Sequence, residues 1–367
     1  MNHKLSIALR ALAEHSGACA EHARLADAAA RYLSELTLPS DTWGEFGFSS
    51  TLDERWAASI DARSGDLAEL HQRIHGAHQT LRAAAEAYAD VEDEHGHHIR
   101  VHVNPDSASA DAPGDARGDL PDATHPGPDA APVLPDPTVN RDCPGGEALL
   151  ACREENLSTL KRAEDLLDES GRLDFTAPSV YLRRLAGLRP GAIGGRSTAL
   201  TALSSALDTM RHDLTGGGDA LADSWEGASA ESFAAHNAAT GERLDGVVDS
   251  LAWHASEAEE LWRLLDGLAR DVAEAVWGRV ETVGASRITR IRSAVSLVED
   301  ARGYTLDAPA AHPIWGSLSD GEMDAAVQVL YKRVWYLANA MSRLVADAGD
   351  SAAQRLDPAH RPPADAG

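Results

Sequence analysis

Across 367 residues, 33 basic and 58 acidic side chains leave a net charge of −25, which argues against nucleic acid or an anionic membrane surface as partner, since both need clustered Lys and Arg. Three cysteines cannot build a disulfide framework, and Cys143 and Cys152 lie too far apart for a paired zinc knuckle. Hydrophobic residues at 43% allow a core, while aromatics at only 5% point to thin, Ala-rich helical packing in two or three domains.

The opening Met1–Arg24 is broken by His, Arg or Glu every few residues, so no signal peptide is expected there. No window along the chain approaches about 18 uncharged apolar residues, so no membrane span is expected. Residues 1–100 read as a helical hairpin. Positions 5, 9, 12, 16, 19, 23, 26, 30 and 33 alternate steps of four and three. After a turn rich in Pro, Gly and Ser (Pro39 to Ser50), the seam resumes at Leu67, Leu70, Ile74, Ala77, Leu81, Ala84, Tyr88 and Val91. A period of 3.5 on both arms is what two antiparallel helices bury against each other.

Residues 101–145 form an acidic, Pro-rich linker. Val101 to Pro144 holds nine of the 17 prolines, and eight Asp fall between Asp106 and Asp142. Such a segment buries too little apolar surface to offset its ordering entropy, so it is expected to be disordered. Residues 146–190 carry a connecting helix, Glu147 to Gly171, ahead of a break at Gly187–Gly191. A second hairpin is expected over 191–306, with Leu200, Leu203, Leu207, Met210, Leu214, Gly217 and Leu221 on one arm. The other arm runs through Leu244, Val248, Leu251, Ala255, Ala258, Trp262, Leu265, Ala269, Val272 and Val276. Gly216-Gly217-Gly218 puts the last turns of the first arm in question. Within 307–367, Ser319-Asp320-Gly321-Glu322 is a capping box opening a final helix, which should pack on the second hairpin, and the tail beyond Leu356 is expected to be disordered. The fold class is therefore all-α: two antiparallel helical hairpins joined by a disordered acidic linker.

Catalytic signatures are missing, and no enzyme is expected. Gly191-Ala192-Ile193-Gly194-Gly195 lacks the Lys and the preceding strand of a phosphate loop, and no His-Glu-x-x-His occurs. Cys19 falls on a seam and reads as a small buried apolar residue. His95, His97, His98 and His102 crowd a helix end, but neither Cys nor a well-spaced carboxylate completes a closed metal site. No cofactor and no metal is expected.

The segment Asp223-Ser224-Trp225-Glu226-Gly227-Ala228-Ser229-Ala230-Glu231-Ser232-Phe233 stands at the junction of two heptad-patterned arms. In that setting it resembles the WXG family of small helical-hairpin proteins exported by type VII (ESX) secretion systems, over about residues 196–283. The resemblance implies a hairpin bend at Trp225, Glu226 and Gly227. Trp225 lies four residues past Leu221 on the same seam, so its indole can cap the hairpin core, and Gly227 frees the backbone to reverse. The first hairpin is more loosely similar to ESX-associated secreted proteins, with a bend at Trp43 and Gly44. Tyr88-Ala89-Asp90-Val91-Glu92 matches the Tyr-x-x-x-Asp/Glu export signal of type VII substrates, which implies that Tyr88 and Glu92 are read by the secretion ATPase of the translocon.

What the resemblance implies as function is a non-enzymatic secretion substrate or structural partner, cytoplasmic before export and then secreted or associated with the envelope. Its hairpins would bundle with a WXG-like hairpin, either in this chain or on a separate one. Two rival readings stand beside it: a cytosolic adaptor for a secreted toxin, and a secreted effector with activity in its C-terminal region. Either tryptophan also fits a core residue at a helix end, and Tyr88 a packed seam aromatic.

Overall fold

A computed structural model describes residues 2–103, 134–142, 154–223, 225–277, 286–306 and 320–357, with side chains over 10–88, 134–142, 156–223, 225–277, 286–302 and 321–357. Among the described residues there are eight helices and no strand: α1 (Asn2–Ser34), α2 (Ser49–Val103), α3 (Glu154–Glu169), α4 (Pro178–Ala186), α5 (Pro190–Ala222), α6 (Ala228–Trp277), α7 (Arg287–Leu306) and α8 (Asp320–Arg355). The all-α expectation holds.

Both hairpins form along the seams read from the sequence. In α1, Leu12, Cys19, Ala23, Ala26 and Leu33 are buried, facing Leu67, Leu70, Ile74 and Leu81 of α2. In the second hairpin, Leu200, Leu203, Leu207 and Met210 of α5 face Leu244, Leu251, Ala258 and Leu265 of α6. Each fully buried Leu contributes about 1.5–3 kcal/mol of transfer free energy. The seam of α2 begins earlier than expected, because Leu52, Trp56 and Ile60 are also buried. These residues continue the same steps of three and four into Leu67, and the helix already starts at Ser49.

The two hairpins pack against each other as a four-helix bundle. Helix α1 lies antiparallel to α5: at one end Arg196 Nε donates to the Thr37 carbonyl over 3.0 Å, and at the other His15 abuts Gly217. Helix α2 lies antiparallel to α6, tied in order by Ser59 with His254, Asp66 with Arg243 (2.8 Å) and Tyr88 with Trp225. The two bends thus occupy opposite ends of the bundle.

Helix α6 outruns the first hairpin, and its far half belongs to a second lobe with α3, α4, α7 and α8. Buried Leu160 and Leu167, Leu182 and Leu185, Ile291 and Val298, and Leu330, Val334 and Leu337 make its core. Ion pairs Arg162–Glu299 (2.7 Å) and Arg355–Glu257 (3.2 Å) fix α3 on α7 and α8 on α6. The final helix therefore packs on the second hairpin, as its apolar seam requires.

Three boundaries differ from the sequence reading. The second arm of the second hairpin ends at Trp277, and α7 is a separate helix that pairs with α8 rather than prolonging the arm to 306. Helix α5 runs unbroken through Gly216-Gly217-Gly218 to Ala222. The last part of the expected disordered linker is packed. Tyr32 donates to the Pro135 carbonyl (2.7 Å), the Arg141 N–H donates to the Gly191 carbonyl (2.8 Å), and the Arg141 guanidinium sits 4.5 Å from the Trp262 ring centroid while pairing with Glu259 at 2.7 Å. The crossing requires Gly195, where a Cβ would come within 2.0 Å of the Val139 carbonyl oxygen. The glycines that failed as a phosphate loop are a seat for this strap. Residues 104–133, the start of the connecting helix at 147–153, the cap residue Ser319 and the tail from 358 lie outside the described residues.

Candidate functional site

The bend of the second hairpin is built as follows. Helix α5 closes with the Asp223 N–H donating to Asp219 O, and the Trp225 N–H donating to Leu221 O over 3.0 Å. Gly227 takes φ +109°, a left-handed value that a side chain resists, and its carbonyl accepts the Glu231 N–H at 3.0 Å to start α6. Glu226 is exposed at the turn. Trp225 is buried, 5.9 Å from the Phe233 ring, and His15 of α1 meets the other side of Phe233 edge-on at 5.6 Å. The indole does cap the hairpin core.

It also reaches the other hairpin. The Trp225 indole N–H donates to the Tyr88 hydroxyl over 3.3 Å. The two residues that the sequence singled out for different reasons, 137 positions apart, therefore meet. Tyr88 is half-buried here. Glu92 lies one turn further along α2, and its side chain is outside the described ones. Beside the pair runs an open groove of about 650 Å³ between α2 and α6, floored by small residues such as Gly76, Ala77, Ala84 and Ala228.

Gly217 holds α1 and α5 together at this end. A Cβ there would stand 2.5 Å from His15 Nδ1, and His15 is itself buried. Ala would raise helix propensity by about 1 kcal/mol, but pushing a wedged imidazole costs about 1–3 kcal/mol. Gly217→Ala is therefore expected to destabilise the protein by about 1 kcal/mol, whereas Gly246→Ala, where a Cβ meets nothing within 4 Å, should stabilise it. Paired thermal melts check this, and stabilisation by both would contradict the close approach.

The other bend is not a free tip. Trp43 is completely buried, its indole N–H donates to the Asp53 carboxylate, and its backbone forms an antiparallel bridge with Leu188. The Arg189 N–H donates to Thr42 O at 2.9 Å, and Asp41 pairs with Arg189 at 2.7 Å. Gly44 takes φ +69°, and a Cβ on it would meet the Arg184 carbonyl oxygen at 2.5 Å. Trp43 and Gly44 thus dock the first hairpin onto the α4–α5 junction.

A third cluster has no sequence signature. Ser59 Oγ lies 2.7 Å from His254 Nδ1, and Arg63 donates to the same Oγ at 2.6 Å and to the Ser59 carbonyl at 2.7 Å. With Arg63 donating to the serine oxygen, the serine O–H is directed to Nδ1. His254 is 2% exposed, its ring edge-on to Trp56 at 4.9 Å. Burial, and secondarily the Arg63 charge, pushes its pKa down to about 3. An imidazole so weakly basic takes no proton from a serine at neutral pH, so this pair ties α2 to α6 rather than activating a nucleophile. A cavity of about 220 Å³ beside it is walled by Arg55, Trp253, Glu257 and Arg355. Cys19 is likewise quiescent: burial raises its thiol to about 12. Among the described residues no group of His, Cys, Asp and Glu is arranged to hold a metal, and no helix is long and apolar enough to cross a membrane. The histidine run 95–102 lies outside the described side chains. No family model, curated protein or solved structure matches the chain.

Proposed function

We propose that this chain is a non-enzymatic substrate or structural partner of a type VII (ESX) secretion system, in which two hairpins of WXG-like design bundle with each other. The observation that carries the reading is the 3.3 Å bond from Trp225 to Tyr88. It couples the bend motif of one hairpin to the signal-bearing arm of the other, so the signal is presented by a folded bundle rather than by a lone helix. The ATPase of the translocon would read the Tyr88 and Glu92 end of α2, with the neighbouring groove of small residues accepting part of it. The chain would be cytoplasmic before export, then secreted or associated with the envelope.

The test is export from a host carrying a type VII system. Wild type is expected in the culture supernatant, and Tyr88→Ala and Glu92→Gln are expected to cut the exported fraction at least about tenfold. Tyr88→Phe keeps the ring but removes the acceptor of the Trp225 bond, and should lower stability by about 1 kcal/mol. If Tyr88→Ala is exported at the wild-type level while remaining folded, the signal assignment fails. One observation favours the adaptor reading: Tyr88 is half-buried with its hydroxyl already engaged. Wild type retained wholly in the cells would support that reading. Growth arrest on expression of residues 300–367 would instead point to an effector.

A further inference from the structure

We infer that the outer face of α7 and α8 is a docking surface for an acidic amphipathic helix of another protein. Among the described residues five large hydrophobic side chains stand exposed, and four of them, Leu297, Val329, Trp335 and Tyr336, lie on these two helices. Trp335 and Tyr336 meet edge-to-face at 5.1 Å, with Tyr336 64% exposed. They line a groove of about 570 Å³ together with Arg287, Arg290, Arg333 and Arg343, and among the described residues no acidic side chain lines it. Elsewhere most arginines are paired, as in Arg141–Glu259, Arg211–Asp245 and Arg243–Asp66. These four form no ion pair among the described residues. Arg333 instead donates to the Arg290 carbonyl at 3.1 Å, which holds α7 and α8 in register.

In a chain of charge −25, four guanidiniums with no ion pair among the described residues, set around two exposed aromatics, run against the overall charge. Arginine, Trp and Tyr are the residues that dominate binding energy when a partner desolvates them. The shape selects a helix. Val329, Arg333, Tyr336 and Arg343 follow one another at steps of four, three and seven along a single face of α8, a stripe of about 21 Å, the length of about 14 helical residues. An occupant with Leu or an aromatic on its seam and Asp or Glu on both flanks would cover the ring faces and neutralise the guanidiniums. A nucleic acid fits less well, because the net charge repels a polyanion over long range and four arginines neutralise few phosphates.

The experiment uses the full chain and three fluorescent probes: an 18-residue helical peptide with Leu seams and Glu flanks, its Lys-flanked counterpart, and an 18-nucleotide single strand. Fluorescence anisotropy should show the Leu/Glu peptide binding at least about tenfold more tightly than either other probe. Arg333→Glu with Arg343→Glu, and separately Tyr336→Ser, should each weaken it about tenfold. Circular dichroism melts on both variants verify folding, and both sites are on the surface. Several outcomes overturn the inference: absence of binding, equal binding of the Lys-flanked peptide, or tighter binding of the oligonucleotide. So does sedimentation showing a wild-type dimer that Arg333→Glu with Arg343→Glu dissolves, because the face would then belong to a second copy. Binding that appears only when the six aspartates at 106, 111, 115, 119, 122 and 129 are changed to Asn would assign the groove to the chain's own acidic segment, and also overturns it.

Discussion

Replacing Trp43 with Ala is expected to lower the unfolding free energy by about 4 kcal/mol, within the range of about 3–5 kcal/mol for truncating a buried Trp. The side chain is fully buried, so its removal leaves a cavity at the first bend. The substitution also leaves the Asp53 carboxylate without its indole donor. Trp43→Phe keeps most of the volume and loses only that bond, so about 1–2 kcal/mol is expected. Trp225→Ala supplies the comparison. That indole is also buried but borders an open groove into which neighbours can relax, and about 2–3 kcal/mol is expected. Since domain stability is typically about 5–15 kcal/mol in total, Trp43→Ala should remove between about a quarter and four fifths of it. Urea unfolding of the three variants measures all of this. A smaller loss for Trp43→Ala than for Trp225→Ala would mean that the first bend does not dock as described.

The largest pH effect should come from His254. Its pKa is about 6.5 when the chain is unfolded and about 3 when folded, so between these values the unfolded chain binds the additional proton. Stability is then complete above pH 6.5 and falls as the pH drops toward 3, by at most about 1.4 kcal/mol per unit. From pH 6.5 to 4.5 the loss from this one group is about 2 kcal/mol. The groups facing the ring and its cavity are Ser59, Arg55, Arg63, Glu257 and Arg355. Glu257 pairs with Arg355. His254→Gln removes the titration, so its melting temperature should fall less steeply with acidification than that of wild type. Equal slopes would show that His254 is hydrated rather than enclosed. At neutral pH, Ser59→Ala should cost about 1–3 kcal/mol, because it strands Nδ1 in the interior and takes one acceptor from Arg63, which keeps its bond to the carbonyl of residue 59.

The hairpins were readable because a seam is a local property. A residue three or four positions from the last falls on the same face whatever the partner is, so Leu70, Ile74, Leu207 and Leu251 are buried as their spacing requires. The capping role of Trp225 followed from its step past Leu221. Leu52, Trp56 and Ile60 lie just past the expected turn, Pro39 to Ser50, and are equally periodic, but the seam of the second arm is read only from Leu67. The glycines misled in the opposite sense. In isolation Gly216-Gly217-Gly218 weakens a helix, yet α5 continues because Gly217 makes room for His15, a residue 202 positions away that no local pattern brings there. The strap at 134–142 shares the composition of a disordered segment, and it is ordered by Arg141 finding Trp262 and Glu259.

By itself, then, the amino-acid order determined which segments are helical, which face of each is apolar, and where the chain bends at an indole. Those properties depend on residues within a turn or two of one another, and their free energies accumulate along one helix. Only the tertiary structure decided which apolar face meets which. It set α1 against α5 and α2 against α6, brought Trp225 to Tyr88, buried His254 under Ser59 and Arg63, and left Trp335 and Tyr336 uncovered. Apolar faces of similar width are interchangeable as far as burial is concerned. The choice among them rests on a few long-range bonds and close approaches, which have no period for a sequence to reveal.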